Sequence, residues 1–305
     1  MGEKLVLGID IGGTHMRFGL VDQQYRLSHF AIEDTQRVLS GDEPIGRLIE
    51  RICAYCNTYL DGGKPDMVSI GFPSTIDRER RIVISTPNIK GMQNLAVVDE
   101  MEPALNIPVC INRDVNFLFL YDMQYHKLNK KGTVLGFYIG TGLGNAISID
   151  GKLLLGKNGM AAELGHIPAF GNSMLCGCGN TGCMETLASG IYLEKLGRNY
   201  FPNTPIRDMF TDHRNQPEMI KYIDCLSLPI ATEVNIFDPD YIIIGGGITQ
   251  MPDFPTDTLE ACIHRHTRKP YPDQNLEILY SPPQQENGVI GAAIYAHKQM
   301  ESKEI

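Results

Sequence analysis

Long apolar runs are missing from this 305-residue chain: the opening MGEKLVLGIDIGG breaks into glycines before it could form a signal peptide or a membrane span. The expectation is a cytoplasmic protein with no membrane partner. Positive charge is scarce as well. Lys and Arg total 27 against 36 Asp and Glu, a formal net charge of −9, which argues against a general nucleic-acid surface. Local phosphate sites are not excluded, since they depend on loops and helix ends rather than on net charge. No Gly-x-x-x-x-Gly-Lys-Ser/Thr segment occurs, so a Walker-type loop is ruled out. Low-complexity segments and long linkers are also absent. With 43% hydrophobic and 21% charged residues the composition is that of a globular protein, long enough for two domains with separate cores.

What the chain does have is a concentration of metal-binding side chains. Glu163-Leu-Gly-His166 is followed by Cys176-Gly-Cys178-Gly-Asn-Thr-Gly-Cys183-Met-Glu185. One imidazole and three thiols in C-x-C-x4-C spacing suit tetrahedral Zn²⁺, and the interspersed glycines let the backbone wrap tightly around an ion. Glu163 and Glu185, at the edges, are better placed to bond a polyhydroxylated ligand than to join a completed N/S shell. The bland alternative is a purely structural zinc loop with incidental acids. Eight cysteines without an export signal imply a reducing compartment, with metal binding ahead of disulfides. Cys53-Ala-Tyr-Cys56 has redox-pair spacing but lies in an apolar-periodic helix, so buried or half-buried thiols are the default there.

The chain echoes itself. Leu5 to Asp22 aligns without gaps to Thr133 to Asp150, with Val6/Val134, Leu7/Leu135, Gly8/Gly136, Ile11/Ile139, Gly12/Gly140 and Asp22/Asp150 identical. Each copy reads as a β-hairpin with a Gly/Thr-rich tip, which implies a duplicated α/β fold with a cleft between its halves. Helices are expected at 43–60, 94–105, from 114, 184–197, 216–237, 255–268 and 288–302, and strands at 67–72, 107–111, 241–244 and 276–280. A hairpin-like region is expected at 75–86. The alternation argues for largely parallel or mixed sheets covered on both faces. The domain boundary is expected near 112–116.

Asp10-Ile-Gly12-Gly13-Thr14 ends the first strand, and exposed N–H groups at such a turn can approach phosphate oxygens closely. Asp10 beside them would attract Mg²⁺, a hard cation that bridges phosphates. Gly140-Thr141-Gly142-Leu143-Gly144 repeats the arrangement, and Gly245-Gly246-Gly247 follows a buried strand. Neither hairpin loop fits Gly-x-Gly-x-x-Gly, which disfavours a dinucleotide dehydrogenase. Asp114, in Asn112-Arg113-Asp114-Val-Asn116, begins a helix whose positive end is expected to keep the carboxylate ionised, ready to take a proton from a substrate hydroxyl. The competing reading is that Asp114 is a helix N-cap.

Taken in order, DIGGT, GFP at 71–73, STPN at 85–88, RD at 113–114, GTGLG at 140–144, ELGH, CGCGNTGCMET and IIIGGG span essentially the whole chain. This set resembles the ROK family of sugar kinases and related repressors, within the actin-like ATPase superfamily. The resemblance implies two actin-like, ribonuclease-H-like α/β domains: 1–113 joined by the final helix (about 288–305), and 114–287 with the zinc loop. It implies ATP with Mg²⁺, a structural Zn²⁺, a hexose substrate and a homodimer. Asp114 matches the base that deprotonates the sugar. Asn88, Arg113, Glu163, His166 and Glu185 match the sugar contacts, and His166, Cys176, Cys178 and Cys183 the metal site, His166 turning one ring nitrogen to each. Asp10, Gly12, Gly13 and Thr14 match one ATP phosphate loop, Gly140, Thr141, Gly142 and Gly144 the other, and Gly246 falls near the adenosine.

Two departures from the family pattern stand out. Arg113 replaces an Asn that touches the sugar in most family kinases, and Arg is longer, always charged and donor-only. Asn145 stands where a further glycine is common. The segments GFPS, RRIVISTPN, NRDVN and FDPDYIIIGGG most resemble the D-allose kinases of the family, so 6-phosphorylation of D-allose is the expectation. Glucose, fructose, mannose and N-acetylmannosamine are the competing substrates. A repressor would carry a winged helix before the first motif, which here begins at Ile9. A catalytically dead binding protein would be expected to lose Asp114 or a phosphate loop, and both are present.

Overall fold

Alternating apolar strands and amphipathic helices build two compact units in the computed structural model, which describes residues 4–39, 41–86, 89, 91–128, 130 and 132–303. Unit 1 takes its described residues from Met1–Lys127, Leu155–Ala161 and Gln284–Ile305. Its first elements are β1 (Val6–Ile11), β2 (His15–Val21), β3 (Leu27–Asp34), α1 (Thr35–Leu39) and α2 (Pro44–Tyr59). Next come β4 (Met67–Phe72), the short β5 (Thr75–Ile76), β6 (Val83–Ser85) and β7 (Gln93–Leu95), then α3 (Val97–Leu105), β8 (Val109–Arg113) and α4 (Asp114–Tyr125). The main sheet runs β3-β2-β1-β4-β8, antiparallel through the first three strands and parallel thereafter. All six residues of β4 are buried, as expected of a strand covered on both faces.

Helix α2 opens on Pro44, whose missing N–H costs nothing in a first turn. Its face Ile45, Leu48, Ile52, Tyr55 and Cys56 is buried against the sheet, while Cys53 is exposed, and both thiols are free. The strand expected at 107–111 sits two residues later, because Pro108 has no N–H to give the ladder and serves it only through its carbonyl, which accepts the Val68 N–H.

Unit 2 takes its described residues from Leu128–Leu154 and Ala162–Pro283. It contains β9 (Thr133–Ile139), β10 (Leu143–Ile149), β11 (Lys152–Leu153), α5 (Gly190–Tyr200), α6 (Met209–His213) and α7 (Pro217–Phe237). Strand β12 (Tyr241–Gly245), α8 (Thr256–His266) and β13 (Ile278–Tyr280) complete it. The sheet order β11-β10-β9-β12-β13 repeats that of unit 1, with the same switch from antiparallel to parallel pairing. The helix expected from 184 begins only at Gly190: Met184–Thr186 is a single 3-10 turn, and the Ser189 hydroxyl caps α5 by accepting the Tyr192 N–H.

The last helix, α9 (Asn287–Lys303), belongs to unit 1. Val289, Ala293 and Ala296 cover Val6, Val21 and Met67 on the sheet face opposite α2 and α3. It also lies directly on α4. A Cβ on Gly291 would fall 1.9 Å from the Phe117 carbonyl oxygen, so only glycine allows the two helices this approach. That packing holds α4 in unit 1, so the expected division after Arg113 falls inside this unit rather than at its edge. No helix among the described residues is long and apolar enough to cross a membrane.

Candidate active site and metal centre

In unit 1, β1 carries Asp10 and β8 ends at Arg113, directly before Asp114. Asp114 is the first residue of α4 and Arg113 its N-cap, so the capping reading of Asp114 does not apply. Its Oδ1 accepts the Val115 N–H at 2.7 Å. Burial and the neighbouring Asp10 nevertheless push its pKa up to about 7, outweighing the amides and Arg113, which act in the opposite direction. The expected permanent ionisation by the helix end is thereby corrected: desolvation wins. Asp10 is likewise raised by burial, tempered by Arg17, whose Nη1 stands 3.6 Å from Oδ2 across the β1–β2 pair. Gly288, in the first turn of α9, has its missing side chain aimed at that carboxylate: a Cβ there would lie 2.5 Å from Asp10 Cγ.

The Gly12–Thr14 turn is fixed by its own backbone and by α1. Gly12 N–H donates to the His15 carbonyl at 2.8 Å, the Thr35 hydroxyl donates to Gly12 O, and Thr35 N–H donates to Thr14 O. Gly13 is part-exposed and Thr14 exposed. Asn88 lies outside the described residues.

In unit 2 the corresponding turn, Gly140–Gly142, joins β9 to β10 and is held by α5: Gly190 N–H donates to Gly140 O and Ile191 N–H to Thr141 O. Gly144 lies in β10, one residue past Leu143. Gly246 has φ +97°, and a Cβ on it would lie 2.5 Å from the Ile139 carbonyl oxygen, so the β12 turn is fused to the end of β9.

The metal-binding motif closes on itself in the same unit. A ring nitrogen of His166 and the Sγ atoms of Cys176, Cys178 and Cys183 gather within 4.8 Å of one another. Cys176 Sγ is 3.6 Å from Nδ1, and Cys178 and Cys183 sulfurs are 3.7 Å apart. Donors bound tetrahedrally at about 2.3 Å are separated by roughly 3.8 Å, so these spacings are those of a four-coordinate ion of zinc's size. Paired bridges Pro168–Cys183 and Leu175–Thr181 shape the knuckle, and Asn172 Nδ2 donates to the Cys183 carbonyl. Burial pushes the Cys183 thiol up to about 12, a penalty that a bound cation removes by stabilising the thiolate.

The other ring nitrogen of His166, Nε2, lies 3.6 Å from Glu163. Glu185 connects the knuckle to the glycine turn: Oε1 is 3.9 Å from Cys176 Sγ and Oε2 accepts the Leu143 N–H at 3.0 Å. Glu163, His166 and Glu185 are thus brought to one His/Cys knuckle, while Asp114 and Asp10 share one part-buried acidic corner of unit 1.

The ROK family model matches residues 6–299. The chain belongs to the ROK family. The Thermotoga maritima glucokinase is 27% identical over 313 residues, covering 96% of this chain and 97% of that protein. An N-acetyl-D-glucosamine kinase of Vibrio cholerae is 27% identical over 79% of this chain and 84% of its own length. The solved structure of a ROK glucokinase from Streptomyces griseus, in complex with glucose and AMPPNP, superposes with a TM-score of 0.79 at 26% identity, covering 96% of this chain and 99% of that one.

Two features escaped the sequence patterns. Asn145 is fully buried and its Nδ2 donates to Glu233 Oε2 on α7 at 2.7 Å and to the Gly136 carbonyl. Burial pushes Glu233 up to about 7. Arg80 is buried under the segment that precedes Glu163. A lone basic residue in a hairpin carries no sequence signal for such a position.

Proposed function

We propose that this ROK-family protein, an ATP-dependent carbohydrate kinase, phosphorylates the 6-hydroxyl of an aldohexose, D-allose, with Asp114 as the base. The observation that carries the reading is a part-buried carboxyl at the start of α4 whose pKa is pushed up to about 7, which suits a group that must accept a proton at working pH. Asp114 takes the hydroxyl proton as the sugar oxygen attacks the γ-phosphorus of ATP; the P–O bond to ADP breaks as the new one forms. Amides of Gly12–Thr14 and Gly140–Gly144 hold the phosphates, and Gly246 lies near the adenosine. Mg²⁺, held near Asp10, supplies charge neutralisation on the phosphates when bound.

Glu163, His166 and Glu185 orient the sugar hydroxyls, with Asn88 and Arg113 as further contacts. The thiolates and His166 Nδ1 hold a structural Zn²⁺ that braces these residues, leaving Nε2 for the sugar. D-Allose is preferred because Arg113 replaces the neutral, shorter Asn of most family sugar kinases, and a donor-only guanidinium favours a different hydroxyl arrangement. The protein is further proposed to work as a homodimer, which sedimentation would check.

The test is ATP-dependent ADP release with D-allose, D-glucose, D-fructose, D-mannose, N-acetyl-D-mannosamine and N-acetyl-D-glucosamine, with Asp114→Asn alongside. Turnover favouring D-allose and lost in the variant supports substrate and base together. Turnover of another sugar sinks allose alone, and full activity of Asp114→Asn sinks the base.

A further inference from the structure

The segment Leu155–Ala161 is contributed to unit 1 from between two stretches of unit 2. Two buried arginines reach it. Arg113 Nη1 donates to the Ala161 carbonyl at 3.1 Å, and Arg80 Nη2 donates to the Gly159 carbonyl at 3.1 Å. Arg80 is 7% exposed and Arg113 9%. The segment also closes on itself, Ala161 N–H donating to Leu155 O at 3.0 Å. Two residues after Ala161 comes Glu163.

Arg80 is costly to place. Its backbone sits at φ +57°, disfavoured for any side-chain-bearing residue. The turn is enforced by Asp77, whose Oδ1 accepts the Arg81 and Ile82 N–H groups, while its carbonyl accepts the Arg80 N–H. Burial lowers the Arg80 pKa, and its Nη1 donates to the carbonyls of Ile76 and Asp77 rather than to a carboxylate. The segment answers with Gly159 at φ +76°, where a Cβ would lie 3.0 Å from Arg78 Cα, Arg80 Nη1 and Asp77 O alike. A strained turn, a buried cation and a glycine contact converge on one stretch of backbone.

We infer that Arg80 is a positioning residue for acceptor selectivity: with Arg113 it clamps the 159–161 backbone, fixing both the Arg113 guanidinium and the chain entering Glu163. The inference rests on the sugar-kinase reading above and extends it to a residue that reading does not place among the sugar contacts. A clamp of this kind acts on sugar selection and leaves nucleotide affinity untouched.

The test compares wild-type protein with Arg80→Ala and Arg80→Lys, by kinetics with D-allose, D-glucose and ATP and by hydrogen exchange over 155–161. Exchange there is expected to quicken at least about 10-fold in Arg80→Ala, reporting local release. KM for the sugar rises about 10-fold and the ratio of kcat/KM between the two sugars shrinks, with KM for ATP changed less than about twofold. Arg80→Lys, which keeps the charge but loses the fork, gives intermediate values and serves if the alanine variant does not fold. Faster exchange with sugar KM and ratio unchanged overturns the inference, leaving a structural staple; so does unchanged exchange. If wild-type protein prefers D-glucose, the allose reading fails, while the clamp still stands or falls on whether exchange and sugar ratio move together.

Discussion

The two hairpins invite comparison because their sequences align without a gap while their pairing does not. In unit 1, Ile11 faces Met16 across four residues; in unit 2, Ile139 faces Leu143 across only three. The unit 2 turn is one residue tighter, which slides the second strand by one position. By pairing, Asn145 therefore occupies the place of Phe18, and both are buried. Side chains alternate between faces with a period of two, so such a slip decides which residue enters the core. Unit 1 fills that place with an aromatic ring. Unit 2 puts an amide there, whose Nδ2 donates to Glu233 Oε2 on α7. The same frame supports an acidic corner in one unit and a polar brace behind a phosphate-type turn in the other.

If unit 1 carries the proton chemistry, Asp114→Asn should have the largest effect, lowering kcat by on the order of 10²–10⁴-fold while leaving the melting temperature equal or higher. A variant retaining most of its turnover would erase the division of labour. Removing the metal tests the other half. Cys183→Ser should abolish stoichiometric zinc in elemental analysis, weaken sugar binding, and lower the melting temperature by on the order of 5–10 °C. Zinc retained at full occupancy would contradict the four-donor site.

The Asp114 carboxyl also sets a pH signature. Activity is expected to fall about tenfold per pH unit below about 7, where the base is protonated. Stability runs oppositely. The folded carboxyl binds its proton more tightly than the ordinary value of 3.8, so this contribution is complete below about pH 4 and is lost as pH rises through about 7. Asp114→Asn should therefore stabilise the protein at pH 8 and change little at pH 4; stabilisation equal at both values would refute the cause. The smallest effect is expected from Asn145→Gly, which strands Glu233 and should cost about 1–3 kcal/mol, with KM for ATP rising modestly. Glu233→Gln keeps an acceptor for Asn145 and should be tolerated far better.

Much of this was legible in the sequence because it is local. The hairpins, their glycine tips and the His166–Cys183 knuckle each lie within one short stretch, and β4, apolar but for Ser69, reads directly as a strand buried on both faces. Four things were not legible because distant segments create them. The one-residue slip depends on how a turn closes. Asp114's proton affinity depends on burial and on Asp10. The membership of α4 in unit 1 depends on Gly291 meeting Phe117, and the role of Arg80 depends on a segment that leaves unit 2.

The return of α9 also has a consequence for biosynthesis. Unit 2 is essentially complete once Pro283 has been translated, but α4 lacks its packing partner until the stretch 287–303 leaves the ribosome. The growing chain thus finishes the unit that carries the His166–Cys183 knuckle before the unit that holds Asp114. A chain cut before this helix would carry the His166–Cys183 knuckle and yet leave Asp114 without the packing that α9 gives α4.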